Sequence, residues 1–216
     1  MTERPDTHPR KAPTQARSIA TVEAMVEATA RILVAEGPEA CTTNRIAEVA
    51  GVSIGSLYQY FPSREALLAA LVERELEVDM AFGADLMVSQ MHRPLCEAWG
   101  HVVEALVAYC AEPPRQRLHQ RLLPLVPWLE REGLVRSTVG QSQAAFAAFV
   151  ELRCDELGPT LRGDDDASAA RRRVAAFVAF ESLEATLNAA KVRHPEHFNG
   201  AELVASLKRL LSVLTG

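Results

Sequence analysis

Apolar residues recur at helical spacing along nearly the whole chain. Between Thr14 and Glu36, the positions Ile19, Val22, Met25, Val26, Ala30, Leu33 and Val34 follow a 3.6-residue period, and Gly37-Pro38 ends the run. A first helix is predicted there. Thr42 can cap a second, which carries Ile46, Val49 and Ala50 on one face and turns Asn44 and Arg45 outward. Gly51 breaks the pattern, Leu57 and Phe61 resume it with a new phase, and Pro62 stops it. Two short amphipathic helices about a glycine-containing turn are the signature of a helix-turn-helix. The second of them leaves Gly55, Ser56, Gln59 and Tyr60 away from the Leu57 and Phe61 face, free to enter a groove.

Ser63 can cap a fourth helix with Leu67, Leu68, Leu71, Val72 and Leu76 on its apolar side, a connector out of the small domain. Beyond about Asp85 the chain becomes Ala-, Leu- and Val-rich with almost no strand pattern. One helix follows Pro94, marked by Leu95, Trp99, Val102, Leu106 and Tyr109, and Pro113-Pro114 is expected to close it. Leu118, Leu122, Leu123 and Leu125 begin a stripe that Pro124 and Pro127 must bend before Trp128, Leu129 and Gly133. Ala145, Phe149 and Leu152 recover the period until Gly158-Pro159. The run Asp164-Asp165-Asp166 suits the start of a helix over about 167–192, with Val174, Phe177, Val178 or Phe180, Leu183 and Leu187 on one apolar side. A last helix over about 200–214 repeats Leu203, Val204, Leu207, Leu210, Leu211 and Leu214.

The fold class is therefore all-α: an N-terminal three-helix helix-turn-helix domain and a larger C-terminal helical domain. The expected divisions are an arm over 1–13, the helix-turn-helix domain over 14–62, a connector over 63–84 and the larger domain over 85–216. Arg10, Lys11 and Arg17, in or just after the arm, could reach phosphates or a minor groove. A length of 216 residues with 48% apolar and 24% charged residues supports two unequal domains with ample cores and excludes disorder of the whole chain. The net charge of −5 argues against a uniformly basic coat for nucleic acid, yet leaves room for a local DNA-binding patch. Cys41, Cys96, Cys110 and Cys154 form no Cys-x-x-Cys pair, and no apolar run approaches the roughly 20 residues that span a bilayer. A cytoplasmic protein without membrane partners is expected.

Three motifs carry competing chemistry. Gly51-Val52-Ser53-Ile54-Gly55 satisfies the Gly-x-Ser-x-Gly pattern of a serine-hydrolase elbow, but that elbow needs a strand before the serine, and residues 44–50 have helical period. No catalytic set is found, so no enzyme is expected. His194-Pro195-Glu196-His197 lacks the i, i+4 spacing of a helical metal pair and reads as a surface loop, so no metal or cofactor is expected either. Single cysteines in apolar helices read as small core residues.

Gly37, Thr42, Ile46-Ala47, Ala50-Gly51-Val52-Ser53, Gly55, Leu57-Tyr58, Tyr60-Phe61, Ser63-Arg64-Glu65 and Leu67 stand in one fixed register. In these residues, the stretch 17–67 resembles the N-terminal domain of the TetR (tetracycline-repressor-like) family of bacterial one-component regulators. Pro38 departs from the family, which usually has an aromatic residue there. The resemblance implies that Thr42, Thr43, Ser56, Tyr58 and Arg64 lie near phosphates, and Asn44, Arg45, Ile54, Gly55, Gln59 and Tyr60 near bases or sugars of double-stranded operator DNA, with Ser53 also in the DNA-binding set. The chemistry agrees. Gln59 can bond an adenine edge, Arg45 a guanine or a phosphate, and Ile54 can rest on a thymine methyl. The resemblance further implies a homodimer, paired through Phe177, Leu183, Leu187, Leu203, Leu207 and Leu210. It also implies a pocket for a small hydrophobic effector, with Trp99, Val102, Leu106, Tyr109, Leu122, Trp128, Phe146, Phe149 and Phe177 as its expected lining. The function implied is a ligand-released repressor of a palindromic operator, with an activator of the same fold as the alternative.

Overall fold

The computed structural model describes residues 16–135, 139–198, 200–212 and 214–215, and the regular structure among them is entirely helical. The arm expected over 1–13, with Arg10 and Lys11, lies outside the described residues, as does the side chain of Arg17. The helices are α1 (Ala16–Glu36), α2 (Thr43–Ala50), α3 (Ile54–Tyr60), α4 (Arg64–Ser89), α5 (Leu95–Ala111), α6 (Pro113–Leu122), α7 (Val126–Arg131), α8 (Val139–Leu152), α9 (Asp166–Arg193) and α10 (Ala201–Ser212). Among the described residues, no helix is long and apolar enough to cross a membrane.

Several prolines stand at helix starts. α5 ends at Ala111, just ahead of Pro113-Pro114 as expected, and Pro113 is also the first residue of α6, where its missing N–H has no intrahelical partner to lose. Pro124 sits in a 3₁₀ turn, Leu123–Leu125, and Pro127 in the first turn of α7, so the broken stripe becomes two short helices. Asp165 caps α9 by accepting the Ser168 N–H at 2.8 Å, which accounts for the aspartate run.

The chain forms two compact units. Among the described residues, the first comprises those up to Glu77 and those over 117–135, the second those over 78–116 and from Val139 onward. This division differs from the linear one expected, because residues 117–135 belong with the first unit and α4 is shared out at Glu77. The reason is apolar burial: Leu122, Leu129 and Val135 join Met25, Leu33, Ile46, Leu57, Phe61, Leu67 and Leu71 in one core. Such side chains contribute about 1.5–3 kcal/mol each when fully buried. A periodic stripe in the sequence does not say which core it enters.

In the second unit, Trp99, Val102, Val103, Phe146, Phe149, Phe198 and Leu207 are buried in a separate core. Here α9 is apolar on two sides rather than the single one expected. Ala176, Ala179, Leu183, Leu187 and Ala190 face that core, whereas Val174, Phe177 and Val178 are more than half exposed. Arg172 is buried, and its guanidinium bonds Glu151 on α8 and the carbonyls of Leu161 and Gly163, clamping the preceding loop.

Candidate nucleic-acid interface

The reading unit is set by two caps and a turn. Thr42 caps α2, its hydroxyl accepting the Arg45 N–H at 3.2 Å. Gly51 ends α2 in the left-handed region at φ 68°, where residues other than glycine are strained, and the Val52 N–H reaches back to the Ala47 carbonyl at 3.0 Å. Ser53 then caps α3, accepting the Ser56 N–H at 3.0 Å. The Gly-x-Ser-x-Gly match is thus a helix C-cap followed by a helix N-cap, and no strand precedes the serine. Pro38, the departure from the family pattern, opens a 3₁₀ turn after Gly37. The fully buried Cys41 follows it, with its thiol 3.6 Å from the Gly37 carbonyl.

Leu57 and Phe61 anchor α3 in the core, which fixes the helix's rotation and leaves Ile54, Gly55, Tyr58 and Gln59 exposed together. A Cβ added at Gly55 would meet nothing nearer than the Ser53 hydroxyl at 3.9 Å, so the small residue opens the surface to a close partner rather than relieving an internal clash. Asn44 and Thr42 are exposed at the start of α2. Tyr60 is half-buried, packed partly against the core. Thr43 and Tyr58 share a hydrogen bond of 3.1 Å across the two helices, and Ser56 faces the Ser53 hydroxyl at 2.8 Å. Arg64, partly buried, pairs with its neighbour Glu65 at 3.3 Å.

Arg45 is held between two carboxylates, each 2.9 Å away: Glu36 at the end of α1 and Glu48 one turn along α2. These hydrogen bonds, Glu36's foremost, raise the guanidinium's pKa above its ordinary value and keep the side chain occupied. The two glutamates are the residues that sequence reasoning missed. Glu48 was legible at i+3 from Arg45, but Glu36 meets Arg45 only through the packing of α1 on α2.

The residues expected to line an effector pocket are divided between the units. Trp99, Phe146 and Phe149 form one aromatic cluster, with Trp99 5.3 and 5.5 Å from the other two ring centroids, and Phe180 joins it 5.7 Å from Phe146. Val102 is buried in the same core, and Leu106 and Tyr109 pack at its margin. Tyr109 stacks on Phe82 at 3.8 Å, lies under Arg115, and donates to Asp79 at 3.2 Å. Burial first, then the Asp79 carboxylate, raise its phenol pKa. Leu122 and Trp128, by contrast, belong to the first unit's core, and Phe177 is 51% exposed on α9. Those three do not gather with the rest.

Of the residues expected to pair two chains, Leu183, Leu187 and Leu207 are buried in the second unit's own core, and Leu203 and Leu210 pack partly against it. Leucines at helical spacing serve an internal core and an external one equally well, so the sequence could not separate these uses. Phe177, the sixth of the expected pairing residues, is exposed, on an apolar side of α9 that also carries Val174 and Val178.

Comparison with known proteins agrees with this geometry. Residues 25–71, from the middle of α1 into the first turns of α4, match the model of "Bacterial regulatory proteins, tetR family". Over 138 residues, 63% of this chain, the protein is 25% identical to the HTH-type transcriptional regulators TtgW and SrpR of Pseudomonas putida, covering 96% of the first and 61% of the second. The fold is similar to that of a TetR-family regulator from Mesorhizobium loti, with a TM-score of 0.69 at 15% identity over 92% of this chain and 96% of that one. With the match centred on the two capped helices, residues 25–71 are a DNA-binding domain of the TetR family, and the protein is a DNA-binding transcriptional regulator.

Proposed function

We propose that this protein is a repressor that binds a palindromic operator as a homodimer and is released by a small hydrophobic effector. The observation that carries the reading is the exposed Ile54, Gly55, Tyr58 and Gln59 face of α3, held outward by fully buried Leu57 and Phe61. A short helix presenting small and hydrogen-bonding groups fits a major groove, where Gln59 can read an adenine and Ile54 a thymine methyl. Thr42, Thr43 and Tyr58 then meet the backbone.

Pairing of two chains is supported by the exposed Val174, Phe177 and Val178 on α9, with Leu152 at the end of α8, also exposed. Two-fold symmetry would set two α3 helices on major-groove faces roughly 34–36 Å apart, so a change in their separation weakens both half-sites together. An effector is supported by the aromatic cluster of the second unit. There the Trp99 indole N–H is buried and, among the described residues, has no hydrogen-bond acceptor. A buried donor in that state costs about 1–3 kcal/mol, and an apolar molecule with one acceptor oxygen would recover it. Ligand release follows if the molecule prefers the conformation unfit for DNA.

Anisotropy titration against the DNA upstream of the protein's own gene tests the reading. Salt-dependent binding that Tyr58→Ala and Gln59→Ala both weaken is expected; equal binding by both variants removes α3 from the account. Reporter expression in a deletion strain separates repression from activation. Expression that falls on deletion favours the activator.

A further inference from the structure

We propose that the turn between α9 and α10 binds a divalent first-row transition-metal ion through His194, Glu196 and His197. The three side chains come from four consecutive residues whose backbone is braced. His194 ends α9 with its N–H on the Ala190 carbonyl, the His197 N–H donates to the His194 carbonyl at 2.9 Å, and the Gly200 N–H donates to His197 at 3.0 Å. Pro195 fixes its own φ, and the fully buried Phe198 anchors the turn in the second unit's core. The ligating groups are thus presented by a rigid turn.

Their spacing is that of a coordination sphere. Glu196 Oε1 lies 3.3 Å from His194 Nδ1 and 3.5 Å from His197 Nε2, and the three donor atoms all fall within 4.8 Å of one another. Two ligands about 2.1 Å from a tetrahedral ion stand about 3.4 Å apart. One carboxylate oxygen therefore already sits at that distance from two imidazole nitrogens, and rotation of one exposed ring completes the third edge. These residues lack the i, i+4 spacing of a helical metal pair. A turn brings i and i+3 together instead.

Two further features favour a cation of this class. The site lies at the carbonyl end of the 28-residue α9, where the helix dipole attracts positive charge. Two imidazoles and one carboxylate suit zinc, nickel or copper, while calcium and magnesium prefer oxygen throughout. The exposure of all three residues leaves the remaining coordination positions to water.

Titration of the tag-free full chain with Co²⁺, read by visible absorption and competed with Zn²⁺, tests the proposal. One saturable ion per chain is expected, with His194→Ala and His197→Ala each weakening it roughly tenfold or more, Glu196→Gln weakening it too, and Ca²⁺ failing to compete. Because the three side chains are exposed, far-UV circular dichroism and DNA binding of the metal-free variants should match the parent. Affinity retained in the His194→Ala, His197→Ala double variant would overturn the site. So would a thiolate-to-cobalt charge-transfer band, which assigns the ion to cysteine, or the absence of saturable binding at millimolar Co²⁺, which leaves only an ordinary histidine–glutamate ion pair.

Discussion

The Thr43 hydroxyl lies 3.1 Å from the Tyr58 hydroxyl, tying the first turn of α2 to the middle of α3. Both helices are short, so their mutual angle rests on few contacts beyond Ile46, Leu57 and the Gly51 turn. The two hydroxyls also stand where the family resemblance puts phosphate ligands. Removing the bond by Tyr58→Phe should cost about 0.5–1 kcal/mol of stability, with Thr43→Val nearly additive to nothing on top of it. Urea denaturation of the four proteins of this cycle measures the coupling. Full additivity would mean that the bond contributes nothing in solution.

Arg45 offers a second test, because Glu36 and Glu48 occupy its guanidinium in the free protein. The Glu36→Gln, Glu48→Gln double variant should free it for a phosphate, tightening DNA binding at low salt and steepening the slope of log K against log salt by about 0.9. Anisotropy at several salt concentrations reads this directly. An unchanged slope would assign Arg45 to holding α1 against α2.

At Gly51 the constraint is backbone conformation, since a Cβ built there meets nothing within 4 Å. Gly51→Ala should therefore destabilise by about 1–2 kcal/mol, and Gly51→Asn by less, because asparagine tolerates the left-handed region. Thermal unfolding ranks the three proteins. Equal midpoints would show that the turn relaxes.

If two chains pair as proposed, the two sides of α9 should separate assembly from folding. Phe177→Glu on the exposed side should leave the helical circular dichroism intact and shift light scattering from dimer to monomer. Leu183→Glu, which buries an unpaired charge, should unfold the second unit. A Phe177→Glu protein that stays dimeric would move the interface elsewhere.

Acid should weaken the clamp on the α9 start. The hydrogen bonds from Arg172 lower the Glu151 carboxyl from its ordinary value of 4.5, so the folded state binds this proton less readily than the unfolded chain. Its contribution is present above pH 4.5 and is lost as pH falls through the lower folded value. Glu151→Gln should flatten the decline of stability below that pH, as followed by urea midpoints. Parallel curves for parent and variant would remove the pair from the acid response.

The reading unit was legible residue by residue because its determinants are local. The caps at Thr42 and Ser53, the glycine turn and the phase shift from Ile46 to Leu57 each act within a few positions of chain. Helical period alone likewise gave the all-helical class. Tertiary structure decided what local pattern cannot encode, namely which surface each apolar stripe meets. It sent Leu122 and Trp128 to the first core, turned Leu183 and Leu187 inward while leaving Phe177 out, and set Glu36 against Arg45. Burial rewards any apolar neighbour without regard to its place in the chain. The partner is therefore chosen by the packing of the whole molecule, and the sequence around each residue fixes only that a partner is needed.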